Sequence, residues 1–204
     1  MKNFLFAMVA LLLSMTPAYA DKADLQKIEN YLNNIKSLKA GFVQVASNGG
    51  TAEGKIYISK PSKLRMEYTA PEELLIVGNG DYIIYFDKEL EQVTNIDYKD
   101  IPATMILTKQ IKLDGQDLKI TDFYKDSGQT SITVETPKNP GVKPITLIFD
   151  NEPFRLKQWK VIDQQNIEVT ISLFDIEQDA ELANELFKFD KKSSHTSNPA
   201  SRRK

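Results

Sequence analysis

The sequence predicts a mainly β protein: about eleven short antiparallel strands at hairpin spacing, enough to close, or nearly close, into a barrel. Two observations point there. From Gly54 to Thr94, apolar residues recur at every second position between turns at Lys60-Pro61-Ser62, Thr69-Ala70-Pro71, Gly78-Asn79-Gly80 and Asp87-Lys88. A second run of the same kind extends from Leu118 to Phe174. A third observation limits the alternatives, because only one segment of the chain has a strong helical period.

Residues 1–20 read as a secretory signal peptide. Lys2 is a basic start, residues 4–15 are a nearly unbroken apolar run too short to span a bilayer, and Ala18-Tyr19-Ala20 has the small-x-small form of a cleavage site. The mature chain is then expected to start at Asp21 as one domain, 21–190, destined for a periplasm and soluble there. The chain has no cysteine, so it folds without disulfides and lacks the residue a lipoprotein signal would acylate.

The helical segment is 24–37. Leu25, Ile28, Leu32 and Ile35 share one face, and Asp21 and Asp24 sit where the helix dipole favours negative charge. Strands are expected at 38–47 and 51–59, separated by the turn Ser47-Asn48-Gly49-Gly50. Residues 63–68 alternate most clearly: Leu64, Met66 and Tyr68 on one face, and Lys63, Arg65 and Glu67 on a face expected to meet solvent. Strands at 73–78, 81–87 and 90–96 follow. Tyr82-Ile83-Ile84-Tyr85-Phe86 is apolar throughout, which predicts cover on both faces.

The two-residue period then breaks. Residues 100–110, with Pro102 near the start, predict a short helix able to cap the mouth of a sheet through Met105, Ile106 and Leu107. Strands resume at 118–124, 130–136, 144–150, 155–162 and 166–174, and 180–187 allows one further helical turn. Residues 191–204 contain no large apolar side chain and read as a disordered, mildly basic tail. A barrel of eleven strands has more interior than its own side chains readily fill, so either helices plug it or it holds a ligand.

The formal charge of −2, one unit more acidic after loss of Lys2, provides no footprint for nucleic acid. Without cysteine there is no thiol nucleophile or thiolate metal site, and the single histidine, His195, lies in the polar tail. Acid pairs such as Glu72-Glu73 fall at turns, where solvated carboxylates are expected. Gly78-Asn79-Gly80 precedes a strand rather than a helix, so it reads as a tight turn and not a phosphate loop. Trp159 sits in an expected strand, where core packing is its ordinary role. No enzyme, metal or cofactor is expected from these residues.

The runs Gly54-Lys-Ile-Tyr-Ile-Ser-Lys-Pro61 and Leu64-Arg-Met-Glu-Tyr68, with Pro71, Ile76-Val77, Gly80, Tyr85 and Glu91-Gln92, resemble the LolA family of periplasmic lipoprotein carriers. Phe42-Val43-Gln44 matches the family's Phe-x-Gln strand, and residues 182–189 (LANELFKF) look like its C-terminal element. The resemblance is sharp from Phe42 to Thr94 and weak from Lys112 to Asp175.

It implies an open, incomplete barrel with helices forming a lid over an apolar cavity. It further implies a monomeric carrier for the acyl chains of lipoproteins, loaded by an inner-membrane ABC-type releasing complex and, where one exists, unloaded by an outer-membrane acceptor. Ile56, Ile58, Leu64 and Met66 would line the cavity, with Leu75, Val77, Ile84 and Phe86 as further wall positions. Met105, Ile106 and Leu107 would be lid contacts. Lys60 stands where the family commonly has an Arg that ties lid to barrel, and it offers a point charge without the planar fork. Met66 stands where the family commonly has Trp, which makes the wall more adaptable. A lipid- or lipoprotein-sensing module on the same type of barrel is the alternative. Such proteins usually carry a second domain or an anchor.

Overall fold

The computed structural model describes residues 20–113 and 115–191. The expected signal peptide as far as Tyr19, the polar tail from Lys192 and His195 lie outside the described residues. The chain begins with helix α1, Lys22–Asn34, capped by Asp21, whose Oδ1 accepts from the Ala23 amide at 3.4 Å. The helix stops short of the expected Ser37 because β1 claims that residue.

Eleven strands follow: β1 Ser37–Ala46, β2 Thr51–Ser59, β3 Lys63–Tyr68, β4 Leu74–Asn79, β5 Tyr82–Asp87, β6 Gln92–Asp97, β7 Lys119–Lys125, β8 Gln129–Glu135, β9 Ile145–Asn151, β10 Phe154–Ile162 and β11 Glu168–Gln178. All pair antiparallel in one sheet, in the order β6-β5-β4-β3-β2-β1-β11-β10-β9-β8-β7. The sheet is two meanders, β1–β6 and β7–β11, joined at the β1–β11 seam. It is an open barrel, with β6 and β7 as its two edges.

This topology dictates where a lid must lie. β6 and β7 are consecutive in the chain but occupy opposite edges of the sheet, so the segment between them has to cross the open side. It does so as two 3₁₀ turns, Tyr98–Asp100 and Pro102–Leu107, where one short helix is expected over 100–110. Thr104 explains the tighter winding. Its hydroxyl lies 2.7 Å from the carbonyls of both Tyr98 and Ile101 and donates its one proton back to either of them, which competes with an α-helical ladder.

α1 packs on the same face of the sheet, over the β9–β11 half. Ile28 and Leu32 are fully buried, and Tyr31 meets Phe149 and Phe154 edge-on at 5.8 and 5.6 Å. Asn33 ties α1 to the chain beyond the lid: its amide donates to the Ile111 carbonyl at 2.9 Å and its Oδ1 accepts from the Ile111 amide at 2.7 Å. This plugs half of the barrel and leaves the β2–β5 half without a helix.

The opposite face of the sheet carries a second layer. After β11 the chain makes a 3₁₀ turn, Asn184–Phe187, and crosses the outside of β3 to β5. Lys63 donates to Asn184 Oδ1 at 2.7 Å, and Arg65 donates to the Leu186 carbonyl at 3.2 Å. The polar face of β3 is therefore roofed by this strap, contrary to the expectation that it meets solvent. Arg65 is only 13% exposed and pairs with Glu67 at 2.6 Å. Lys63 and Arg65 hold the strap, one through a side chain and one through backbone, and alternation alone could not distinguish that from a wet surface.

Candidate functional site: an apolar cavity beneath the lid segment

Strands β1 to β6 and β10 to β11 enclose a cavity of about 310 Å³ against the 3₁₀ segment. Its wall is built from alternate positions on adjacent strands. Ile56 and Ile58 of β2 stand opposite Met66 and Leu64 of β3, and Met66 stands opposite Ile76 of β4. Ile76 in turn pairs with Tyr85 of β5. Trp159 and Val161 of β10 and Val169 and Ile171 of β11 close the far wall. Ala103, Ile106 and Leu107 of the lid segment complete it.

Ile56, Ile58, Leu64, Met66, Ile106 and Leu107 are thus brought together around one space. Leu75, Val77, Ile84 and Phe86 are not. They form a separate cluster on the outer face of β4 and β5, against Phe189 of the C-terminal strap, with the Phe86 and Phe189 rings 5.4 Å apart. The cavity positions on these strands are one residue out of step: Leu74 and Ile76, then Ile83 and Tyr85. Both faces of β4 and β5 are apolar, so no polar residue marks which face is which, and a shift of one residue exchanges them. The cover expected on both faces of β5 is incomplete, for Tyr82 is 49% exposed and Tyr85 39%.

Met105 also faces away from this cavity. It lines a larger cleft of about 920 Å³ beyond the lid segment, together with charged Lys99, Lys112, Asp117 and Lys138. Ile101 and Thr104 line both spaces, so the lid segment is the partition between them. The smaller space is the one whose wall is almost wholly apolar.

Trp159 was expected to pack in the core; it is 5% exposed and forms part of the cavity wall. Besides Leu74, Ile76, Ile83 and Tyr85, sequence reasoning passed over the polar wall residues Gln44 and Tyr68. The signal was present, since Gln44 falls on the inward face set by Ala40 and Phe42. The Tyr68 hydroxyl donates to Gln44 Oε1 at 2.8 Å. Burial pushes the Tyr68 phenol well above its usual range, helped by Tyr85 and Glu72, so the hydroxyl keeps its proton as a donor.

Lys60 lies at the β2–β3 turn, where Nζ donates to the Leu32 carbonyl at 2.8 Å. That carbonyl belongs to the last turn of α1, which leaves acceptors unsatisfied and favours a cation. Lys60 therefore bonds to α1 and not to the 3₁₀ lid segment. The same turn reaches the lid through backbone, with the Ser62 amide donating to the Leu107 carbonyl at 2.9 Å. Tyr98, at the start of the lid, donates its hydroxyl to the Ser62 carbonyl. Burial pushes the Lys60 amine down to about 8. Among the described residues no cluster of His, Cys, Asp or Glu could hold a metal ion, and no helix is long and apolar enough to cross a membrane.

Residues 33–190 match the family model described as outer membrane lipoprotein carrier protein LolA. The chain belongs to the LolA family. An outer-membrane lipoprotein carrier protein of Pseudomonas paraeruginosa is 29% identical over 89% of this chain and 90% of its own length. An uncharacterized protein of Rickettsia prowazekii is 29% identical over 93% of this chain and 88% of its own. Among solved structures, a putative outer membrane lipoprotein-sorting protein domain from Vibrio parahaemolyticus covers 84% of this chain with a TM-score of 0.51 at 11% identity, a likeness of fold. The LolA match spans both meanders, although the sequence resemblance is weak through most of the second. A family of carriers accords with a site made of shape and apolar surface.

Proposed function

We propose that this chain is a periplasmic carrier that shelters the acyl chains of lipoproteins released from the inner membrane and moves them to the outer membrane. The observation that carries this reading is the apolar cavity between β2–β5 and the 3₁₀ lid segment, in a member of the LolA family. An acyl chain of about sixteen carbons loses roughly 12 kcal/mol on leaving a bilayer for water, at about 0.8 kcal/mol per CH₂. Unaided crossing of an aqueous compartment is then negligible, and a carrier must replace most of that apolar contact. Branched aliphatic and thioether side chains offer such contact without a fixed shape.

Loading and delivery require the cavity to open. The lid segment is tied by the Ser62–Leu107 backbone bond, the Tyr98 hydroxyl, the Asn139 amide on the Lys99 carbonyl and, beyond it, the Asn33–Ile111 pair, and it buries Met105, Ile106 and Leu107. Its hydrogen bonds are worth about 1 kcal/mol net each, and an acyl chain that takes over the contacts of Ile106 and Leu107 offsets the burial lost on opening. Residues 1–20 act in this reading as the export signal, 21–190 as the carrier domain and the remainder as a polar tail. The releasing partner is an inner-membrane ABC-type complex.

Native mass spectrometry of the protein purified from a periplasmic extract tests the proposal. An acylated lipoprotein is expected to copurify and to be lost in Leu64→Glu, which sets a carboxylate in the cavity wall. A folded Leu64→Glu protein that still carries lipoprotein would sink it.

A further inference from the structure

The cavity has a direction. Ile58 and Leu64 pair at the β2–β3 turn, next to Leu107. Four residues along β3, about 13 Å away, Tyr68 marks the other end, where Tyr85 is 39% exposed. The Gln44–Tyr68 bond lies at this solvent-facing end, and it determines what the amide can offer. Oε1 is engaged by the Tyr68 hydroxyl, which orients the amide and leaves both donors of its NH₂ group available to a ligand.

That NH₂ has no protein partner among the described residues. Among the same residues no buried side-chain nitrogen or oxygen is left without a hydrogen bond. The Gln44 nitrogen therefore keeps some accessible surface, on a residue that lines the cavity. The same holds for the Trp159 indole N–H, a pure donor on another lining residue. Gln44 and Trp159 pair with Ile171 from either side, so they flank it on the same level of the sheet. One end of an apolar cavity thus presents donors on its wall, a pattern that suits a ligand bearing an acceptor at the head of an apolar chain.

We propose that Gln44, held by Tyr68, donates to the ester or amide carbonyl that heads a bound acyl chain. The chain then enters with its methyl end toward Ile58, Leu64 and Leu107. This rests on the carrier reading and adds to it a recognition element: the site distinguishes acyl chains from plain hydrocarbon tails of equal length. Gln44 is the contacting residue and Tyr68 the positioning residue.

A pair of ligands that differ only at the carbonyl tests this. Monopalmitoylglycerol carries the ester; 1-O-hexadecylglycerol replaces it with an ether. Affinities are read by displacement of an anilinonaphthalene-sulfonate dye from the mature protein. The wild type is expected to prefer the ester by roughly 3- to 10-fold, the value of one hydrogen bond. Gln44→Met should bind both ligands alike, with the ester/ether ratio falling to about one. Tyr68→Phe should keep part of the preference. Equal wild-type affinities, or a preference retained in folded Gln44→Met, overturn the proposal. Should Gln44→Met fail to fold, the wild-type ester/ether ratio and its change in Tyr68→Phe decide. A wild type that binds neither ligand overturns the carrier reading itself, an outcome distinct from binding without preference.

Discussion

Strand β4 has two apolar faces with opposite fates. Leu75 and Val77 point outward and are sealed by Phe86 and Phe189, so that Leu75 is 1% exposed and Val77 fully buried. Leu74 and Ile76, one residue away, point inward at a cavity that their neighbours leave unfilled. The side chains are of the same kind. The difference is what arrives to cover them: a strap bonded to Lys63 and Arg65 that brings Phe189 against them outside, and a lid segment that leaves a space beneath Ile106 and Leu107 inside. Apolar surface becomes a core where the cover fills it and a container where the cover leaves a gap.

Truncations on the two faces should therefore separate stability from binding. The largest effect is expected for Phe86→Ala, which empties the outer cluster: a loss of about 3–5 kcal/mol in urea unfolding. Leu75→Ala and Ile76→Ala sharpen the contrast on adjacent residues. Leu75→Ala should cost about 2–5 kcal/mol and leave acyl affinity per folded molecule unchanged. Ile76→Ala should cost under about 1.5 kcal/mol, because it enlarges a space already present, and alter acyl affinity instead. Equal stability losses at the two positions would collapse the distinction. Phe189→Ala comes next, at about 1–2 kcal/mol, with new dye binding on the uncovered outer face of β4 and β5.

The smallest effect is a slope with pH. Burial pushes the Lys60 amine down from 10.5 to about 8. Between those values the unfolded chain holds a proton that the folded chain has lost, so this residue makes stability rise with pH across that window. Below pH 8 both states hold it, and the fold bears the full cost of the buried charge. Lys60→Met should flatten the rise, seen as a wild-type-minus-variant difference in urea midpoint between pH 7 and 9.5. An unchanged difference would show that Lys60 is better hydrated than its place against the Leu32 carbonyl indicates.

Much of the fold was legible. All eleven strands lie close to where turn residues and alternation put them, because a two-residue period between Gly, Pro, Asn and Asp turns is a local property of the chain. Part of the site was legible too: Ile56, Ile58, Leu64 and Met66 stand on strands whose other face is polar, and polarity marks the phase. On β4 and β5 both faces are apolar, and there the phase was lost. Gln44 escaped notice because a polar residue on an inward face reads as an irregularity until its partner, Tyr68, is seen across two strands.

The strands, the turns, the amphipathic helix and the LolA resemblance are each written in residues near one another in the chain. The pairing of β1 with β11 is not, and it turns two meanders into one open sheet and sends the link between its edges across the gap as a lid. The tertiary structure alone decided that the C-terminal strap covers β3 to β5, and so which apolar face is sealed. Both are contacts between residues far apart in sequence. Their energy comes from what each face meets, and no local pattern encodes the identity of a distant cover.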